Sequence, residues 1–325
     1  MAEYRPDGAS WHSNARCANH TASSGGAATL DDHVDADGET RDEPRKGSLV
    51  TSAHDPVTHR SDGSTPMTRS RTIRRVVLTE AAVLIGATAI AGRHPRAALA
   101  AIVAGSMAGW ATFRPGSPIY GPVPSHGPTD APFAALTFDD GPGPSTPAIL
   151  DALRDEGVRA TFFILGRQAA RHPEMVRRIR DEGHQIGSHG YDHGILVWRG
   201  PRYVRRQIAR TADAITAAAG PDALSPIFRA PHGFRGPTTW AAVRSAGYRL
   251  MGWSKGVFDS ENPGADVVVQ RSTAALARGC ILLLHDADGW APDAPRDDTA
   301  AAIPGICAAA RDQGLELVTL DELGV

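Results

Sequence analysis

From Ala131 to Val325 the chain alternates between short apolar runs and amphipathic stretches bracketed by helix start and stop signals, and this rhythm constrains the fold more than any other feature. The runs AALTF, ATFFIL, HQIGS, PIFRA, YRLMGW, ILLLH and LELVTL read as strands. Between them, STPAILDALRDEG opens on a Ser/Thr-Pro cap and stops at Gly157, and HPEMVRRIRDEG opens at Pro173 and stops at Gly183. PRYVRRQIARTADAITAAAG and PTTWAAVRSAG end at Gly220 and Gly247. Strands separated by helices pair most readily in parallel, so the region is predicted to be α/β, a largely parallel sheet or a (β/α) barrel.

The preceding residues divide by composition. Residues 1–66 are rich in Ser, Thr, Gly, Asp, His and Arg and poor in large apolar side chains, so burial cannot offset the entropy of ordering them and a disordered tail is expected. Met67, followed by a basic stretch and an apolar run, resembles a natural N-terminus. Residues 67–113 hold two apolar runs, Val76–Gly92 with Glu80 inside it and Ala97–Phe113 without a charge, separated by Arg93, His94, Pro95 and Arg96. Each is at the short limit for a membrane helix, and a pair of buried soluble helices is the competing reading. With Arg69, Arg71, Arg74 and Arg75 on the cytoplasmic side, one crossing or a signal peptide places the C-terminal region outside; a hairpin would return it. Export with anchoring to the membrane is the expectation. Residues 114–130 are dense in Pro and Gly and read as an extended spacer holding a domain off the membrane.

Among the 325 residues, Lys plus Arg number 34 and Asp plus Glu 36, so net charge offers no argument for a nucleic-acid partner. The three cysteines, Cys17, Cys280 and Cys307, show no zinc-ligand or CxxC spacing, and Cys280 and Cys307 read as small buried apolar residues.

Several predicted strands run straight into a residue capable of catalysis. ALTF meets Asp139 and Asp140, HQIGS meets His189 with His193 four residues on, PIF meets Arg229, RLMGW precedes Asp259, and ILLL meets His285. In a parallel architecture all strand C-termini share one face, so residues spread from Asp139 to His285 can converge there. Each has a plainer reading alone: Asp140-Gly141 as a turn, His285 as a hydrogen-bonded core histidine, Arg229 as a structural ion pair, His189 and His193 as unrelated histidines. Adjacent carboxylates at a buried strand end, however, repel unless a cation neutralises them. An Asp with two His also leaves positions open on a Zn2+-type ion for water and substrate. P-loop, dinucleotide-binding and HExxH patterns are absent.

The segments TFDDGP (137–142), SHGYDH (188–193), FRAPHG (228–233) and LLLHD (282–286) follow the order seen in polysaccharide deacetylases of the NodB-homology type, carbohydrate esterase family 4, and the resemblance spans 131–325. It implies a deformed (β/α) barrel and a hydrolase that removes N-acetyl, or O-acetyl, groups from a glycan such as a cell-wall or other N-acetylglucosamine polymer. It also implies one divalent ion, Zn2+ or alternatively Co2+, held by Asp140, His189 and His193, with Asp139 as general base and Arg229 as its partner. By the same resemblance His285 is the general acid tuned by Asp259, the His232 N–H an oxyanion donor, and Leu283 the wall for the acyl methyl. Two departures stand out: His232 replaces the family's Tyr, and Ser260 follows Asp259 where a Trp is usual. Without those groove aromatics a lipid-linked amino sugar or a small amide becomes an alternative substrate. Trp198, Trp253 and Trp290 could replace the lost stacking surfaces or simply fill the core or rim. A catalytically silent carbohydrate-binding relative and a membrane scaffold are the readings from other classes; the full set of polar strand-end residues argues against both.

Overall fold

The computed structural model describes residues 94–325 apart from Pro115; the expected tail and the first apolar run lie outside the described residues. Its order is α1 (Pro95–Phe113), β1 (Phe133–Asp139), α2 (Thr146–Asp155), β2 (Thr161–Ile164), α3 (Gly166–Arg171), α4 (Pro173–Asp181), β3 (Gln185–Ser188), α5 (Pro201–Ala219) and β4 (Leu224–Phe228). There follow α6 (Pro237–Ser245), β5 (Arg249–Leu250), β6 (Lys255–Gly256), α7 (Ala265–Ala275), β7 (Ile281–His285), α8 (Asp297–Asp312) and β8 (Glu316–Leu317). Short 3-10 turns occupy Pro231–Gly233 and Asp259–Glu261.

All the strand pairs are parallel, in the order β5-β4-β3-β2-β1-β7-β6, with β8 against the start of β1. Among the described residues no pair joins β5 to β6, so the expected barrel is a curled, open one. The cause is visible in the strands: β1 and β7 are buried along nearly their whole length, whereas β5 and β6 have only two residues each. Near-continuous apolar runs suit a strand covered on both faces. Leu136, Phe138, Ile149, Leu150, Phe162, Ile179, Leu282 and Ile306 join the sheet to α2, α4 and α8 in one buried cluster. Truncating one such Leu or Ile to Ala costs about 2–5 kcal/mol.

Three helices carry weaker sequence signals than their neighbours. GRQAAR is short, the Val267–Val269 run of α7 favours strand, and α8 contains Pro304. Gly305 lets α8 approach α7, where an added Cβ would lie 2.7 Å from a Val269 methyl. The Ser145 hydroxyl does not cap α2 as expected; it donates to Asp297 at 2.7 Å, tying β1's exit to the start of α8. Cys280 and Cys307 are free and buried, in keeping with their apolar reading.

The stretch after α1 differs from the expected spacer. Val123 is buried, the Pro124 carbonyl accepts from Gly252 N at 2.7 Å, His126 bridges Cys280, and Gly127 N donates to Gly279 O at 2.7 Å. Pro and Gly suit an extended segment of either kind. What decides is that the β5–β6 connection and the entry to β7 offer backbone groups to pair with.

Candidate active site

Register, more than chain proximity, assembles the site. In the β1–β7 pair Asp139 lies directly opposite His285, and Phe163 of β2 pairs with Asp139 on the other side. Parallel neighbours sit about 4.8 Å apart, so the two polar residues at the strand ends share one rim. Ser188 pairs with Phe228 in β3–β4, which sets His189 beside Arg229. Accordingly the His189 Nδ1 donates to the Arg229 carbonyl at 2.9 Å. A carbonyl only accepts, so Nδ1 carries the proton and the Nε2 lone pair is free to face the cleft.

Asp140, His189 and His193 come together as expected: all three are buried, with one ligand-capable atom from each within 4.8 Å of the others. The Asp140 Oδ1 lies 3.0 Å from His193 Nε2 and 3.4 Å from His189 Nε2. Its Oδ2 is already taken by the Gly289 N–H at 3.0 Å, while Oδ1 is buried with no hydrogen-bond partner among the described residues. Burial opposes ionisation of Asp140, but the two imidazoles outweigh it and hold the carboxyl well below the usual range. A buried carboxylate oxygen without a donor, facing two imidazole nitrogens, is what a divalent cation requires. Asp140 and His193 adopt positive φ of 80° and 59°, strained values that a structure keeps where side-chain aim matters.

Asp139 is 3% exposed and receives the Arg229 Nη1 at 2.8 Å; the same nitrogen donates to Thr137 Oγ1 at 2.8 Å. The guanidinium also bonds the Gly252 carbonyl at 2.9 Å and lies 4.1 Å from the Phe163 ring centre. Arg229 is fully buried behind Asp139 and does not line the cleft. His285 is paired in the same manner: Nδ1 meets Asp259 Oδ1 at 2.9 Å, and Asp259 Oδ2 accepts from the His285 N–H at 2.7 Å and from Thr299 Oγ1 at 2.9 Å. Burial would lower the His285 pKa, but the Asp259 carboxylate outweighs it and pushes it up to about 9. Burial likewise opposes ionisation of Asp259, whose pKa is nonetheless lowered by His285 and by its hydrogen bonds. Asp259, like Arg229, positions from behind, and neither was distinguishable in sequence from a residue that faces substrate.

Asp139, Asp140, His189, His193 and His285 line a cleft of about 800 Å³. Leu283 forms part of its wall, as expected. His232, at φ 60°, stacks its imidazole on Trp290 with ring centres 5.1 Å apart and planes at 21°, and tilts against His193 at 4.2 Å. Burial, with His193 beside it, pushes the His232 pKa down to about 3, so the ring is neutral. Of the three tryptophans offered as replacements, Trp253 and Trp290 line the cleft and Trp198 does not.

Sequence reasoning missed the loop after β7. Gly289, besides holding Asp140, lies where an added Cβ would stand 2.2 Å from His193 Nδ1, so any side chain there would push His193 aside. Arg167 secures the Gly289 carbonyl. Arg296, 3% exposed, donates to Asp288 and to the Ala287 and Ser260 carbonyls, joining this loop to the one carrying Asp259. The only sequence signal was ADGW directly after the fourth motif.

A sequence model of the polysaccharide deacetylase family matches residues 126–251. A chitooligosaccharide deacetylase of Sinorhizobium fredii is 36% identical over 208 residues, 62% of this chain and 95% of that protein. The chain belongs to the polysaccharide deacetylases of the NodB-homology type. Among other members, the peptidoglycan-N-acetylglucosamine deacetylase PgdA of Listeria monocytogenes is 34% identical over 192 residues, 58% of this chain and 38% of PgdA. The solved Bc1960 peptidoglycan N-acetylglucosamine deacetylase superposes with a TM-score of 0.57 at 30% identity, covering 62% of this chain and 92% of that one. These NodB-type relatives are hydrolases of acetylated carbohydrate, and their (β/α) fold is the one seen here.

Proposed function

We propose that the protein is a metal-dependent deacetylase that removes N-acetyl groups from an N-acetylglucosamine-containing glycan at the cell envelope. The observation that carries this reading is the Asp139–His285 register pair, a carboxylate and an imidazole at neighbouring strand ends on the cleft that also holds the orphaned Asp140 oxygen. Asp140, His189 and His193 would hold the divalent ion, taken as Zn2+, which when bound supplies Lewis-acid polarisation and a lowered water pKa. Asp139, with Oδ1 fixed by Arg229, takes the proton of the attacking water through its other oxygen. The His232 N–H, turned by its left-handed backbone, is the donor toward the developing oxyanion, and Leu283 receives the acyl methyl. An amine is a poor leaving group until protonated. His285, its Nδ1 tied to Asp259, delivers that proton from the other ring nitrogen, releasing acetate and the free amine. The apolar helix α1 would anchor the chain with the cleft outside the cytoplasm.

Acetate release from N-acetylglucosamine oligomers, with acetylated xylan alongside, tests the reading when wild type is compared with Asp139→Asn. The proposal expects mass loss of one acetyl per amine formed, abolished in the variant. Release from xylan alone would reassign the substrate, and release undiminished in Asp139→Asn would remove Asp139 from its role.

A further inference from the structure

We infer that the cleft opens at a lipid surface and acts on an N-acetylated saccharide carried by a lipid anchor; this rests on the deacetylase reading and names its substrate class. The first ground is α1. Its residues 96–113 have a mean hydropathy of 1.2, and only 11% of that window is buried. Leu99, Val103, Met107 and Trp110 stand 63%, 49%, 54% and 47% exposed, a contiguous apolar surface of a kind that soluble monomers rarely show. Eighteen helical residues reach about 27 Å, close to the roughly 30 Å of a hydrocarbon core. Arg96 marks one end, and at the other the Arg114 guanidinium lies 5.0 Å from the Trp110 ring centre, the cation-and-aromatic ending that suits a membrane interface. Uncharged length between charged ends fits a bilayer better than a protein partner.

The second ground is how this helix is attached. Arg235 is 2% exposed, and its Nη2 donates to the Arg114 carbonyl at 2.7 Å and the Ser117 carbonyl at 2.9 Å. A buried guanidinium spent on two backbone carbonyls fixes the exit of α1 directly to the domain, satisfying groups that a helix end leaves open. The Tyr120 hydroxyl adds a bond to the Ala108 carbonyl at 3.0 Å. Phe113, the last helical residue, lines the cleft and meets Phe234 edge-on at 4.9 Å; Phe234 lies 5.6 Å from His232, which packs on His193. The aromatic series therefore runs from a metal-site histidine to the end of the apolar helix, with no spacer between. Phe258, 64% exposed at φ 56°, adds a strained apolar side chain to the same rim. An embedded α1 places this rim at the headgroup level, within a few sugar units of the lipid.

The test uses the full chain in vesicles of zwitterionic and anionic phospholipid. Its substrates are an N-acetylglucosamine tetramer coupled to a dialkyl lipid and the same tetramer free in solution. Confinement to one surface raises effective concentration, so kcat/KM for the anchored tetramer is expected to exceed that for the free one by about tenfold or more. A fifteen-residue Gly/Ser insertion between Phe113 and Arg114, and separately Arg235→Met, should collapse that ratio; turnover of the free tetramer reports that each variant is folded. A wild-type ratio near one, or a ratio that survives both changes, overturns the inference. So does flotation showing the protein off the vesicles as a dimer, which would give the apolar face to a second copy. If the free tetramer is untouched as well, the deacetylase reading falls with it; if only the anchored advantage is missing, that reading stands.

Discussion

The floor of the cleft and its rim come from different parts of the chain and obey different physics. The floor consists of residues at or just beyond the ends of β1, β3 and β7, held by buried hydrogen bonds and ion pairs. The rim consists of Phe113, Phe258, His232 and Trp290, side chains from a helix end and from loops, held mainly by aromatic contact. Electrostatic preorganisation tolerates no substitution without loss of chemistry, whereas aromatic packing can be exchanged for another shape. This is why the four motifs are intact while the family's groove aromatics are replaced here.

The sharpest way to break the contrast is to strike the floor. Asp139→Asn should lower kcat by about 10²–10⁴ while leaving bound metal near one equivalent, measured by acetate release and metal analysis. His189→Ala should instead lose the metal along with activity.

Arg229→Met comes next. It leaves Asp139 buried without its partner and should destabilise the fold by about 3–5 kcal/mol, read as a fall in the urea midpoint.

Asp259→Asn tests the pH behaviour. If His285 is the proposed general acid, its pKa of about 9 predicts that the rate falls as pH rises through that value. Removing the carboxylate leaves burial, which lowers the pKa, so the alkaline limb should move to lower pH. The folded pKa is raised from an ordinary 6.5, so the pair's contribution to stability is complete below 6.5 and lost as pH rises toward 9. The wild-type urea midpoint should therefore fall across that window more than the variant's does.

Trp290→Ala tests the rim. With about 0.5–1.5 kcal/mol at stake in an aromatic contact, KM should rise several-fold with kcat little changed. A kcat loss as large as that of Asp139→Asn would erase the distinction between floor and rim. Smallest of all should be the effect on chemistry of deleting residues before Ala131. That change removes the buried Val123 and the pairing at Pro124 and Gly127, lowering Tm while the folded fraction keeps its kcat.

Most of the floor was legible because strands and their ends are local signals. An apolar run that stops at Asp139 or His285 announces a strand end, and parallel pairing brings such ends to one face. The register that sets Asp139 opposite His285 was not legible, since it depends on strand lengths and crossovers rather than on either segment. Gly289 and Arg296 were missed for a related reason: their partners lie in distant elements, and a DG pair reads only as a turn. The same holds for 114–130, whose Pro and Gly describe an extended chain without saying what it lies against. β6, two residues long, carries too little pattern to detect.

The most direct test of the central claim is acetate release as zinc is added back to metal-stripped full-length protein, with an N-acetylglucosamine oligomer as substrate. The account predicts negligible release without metal, a linear rise, and saturation at one equivalent. Undiminished release from the stripped protein, or zinc binding at one equivalent that survives loss of Asp140 and His193 together, would contradict it.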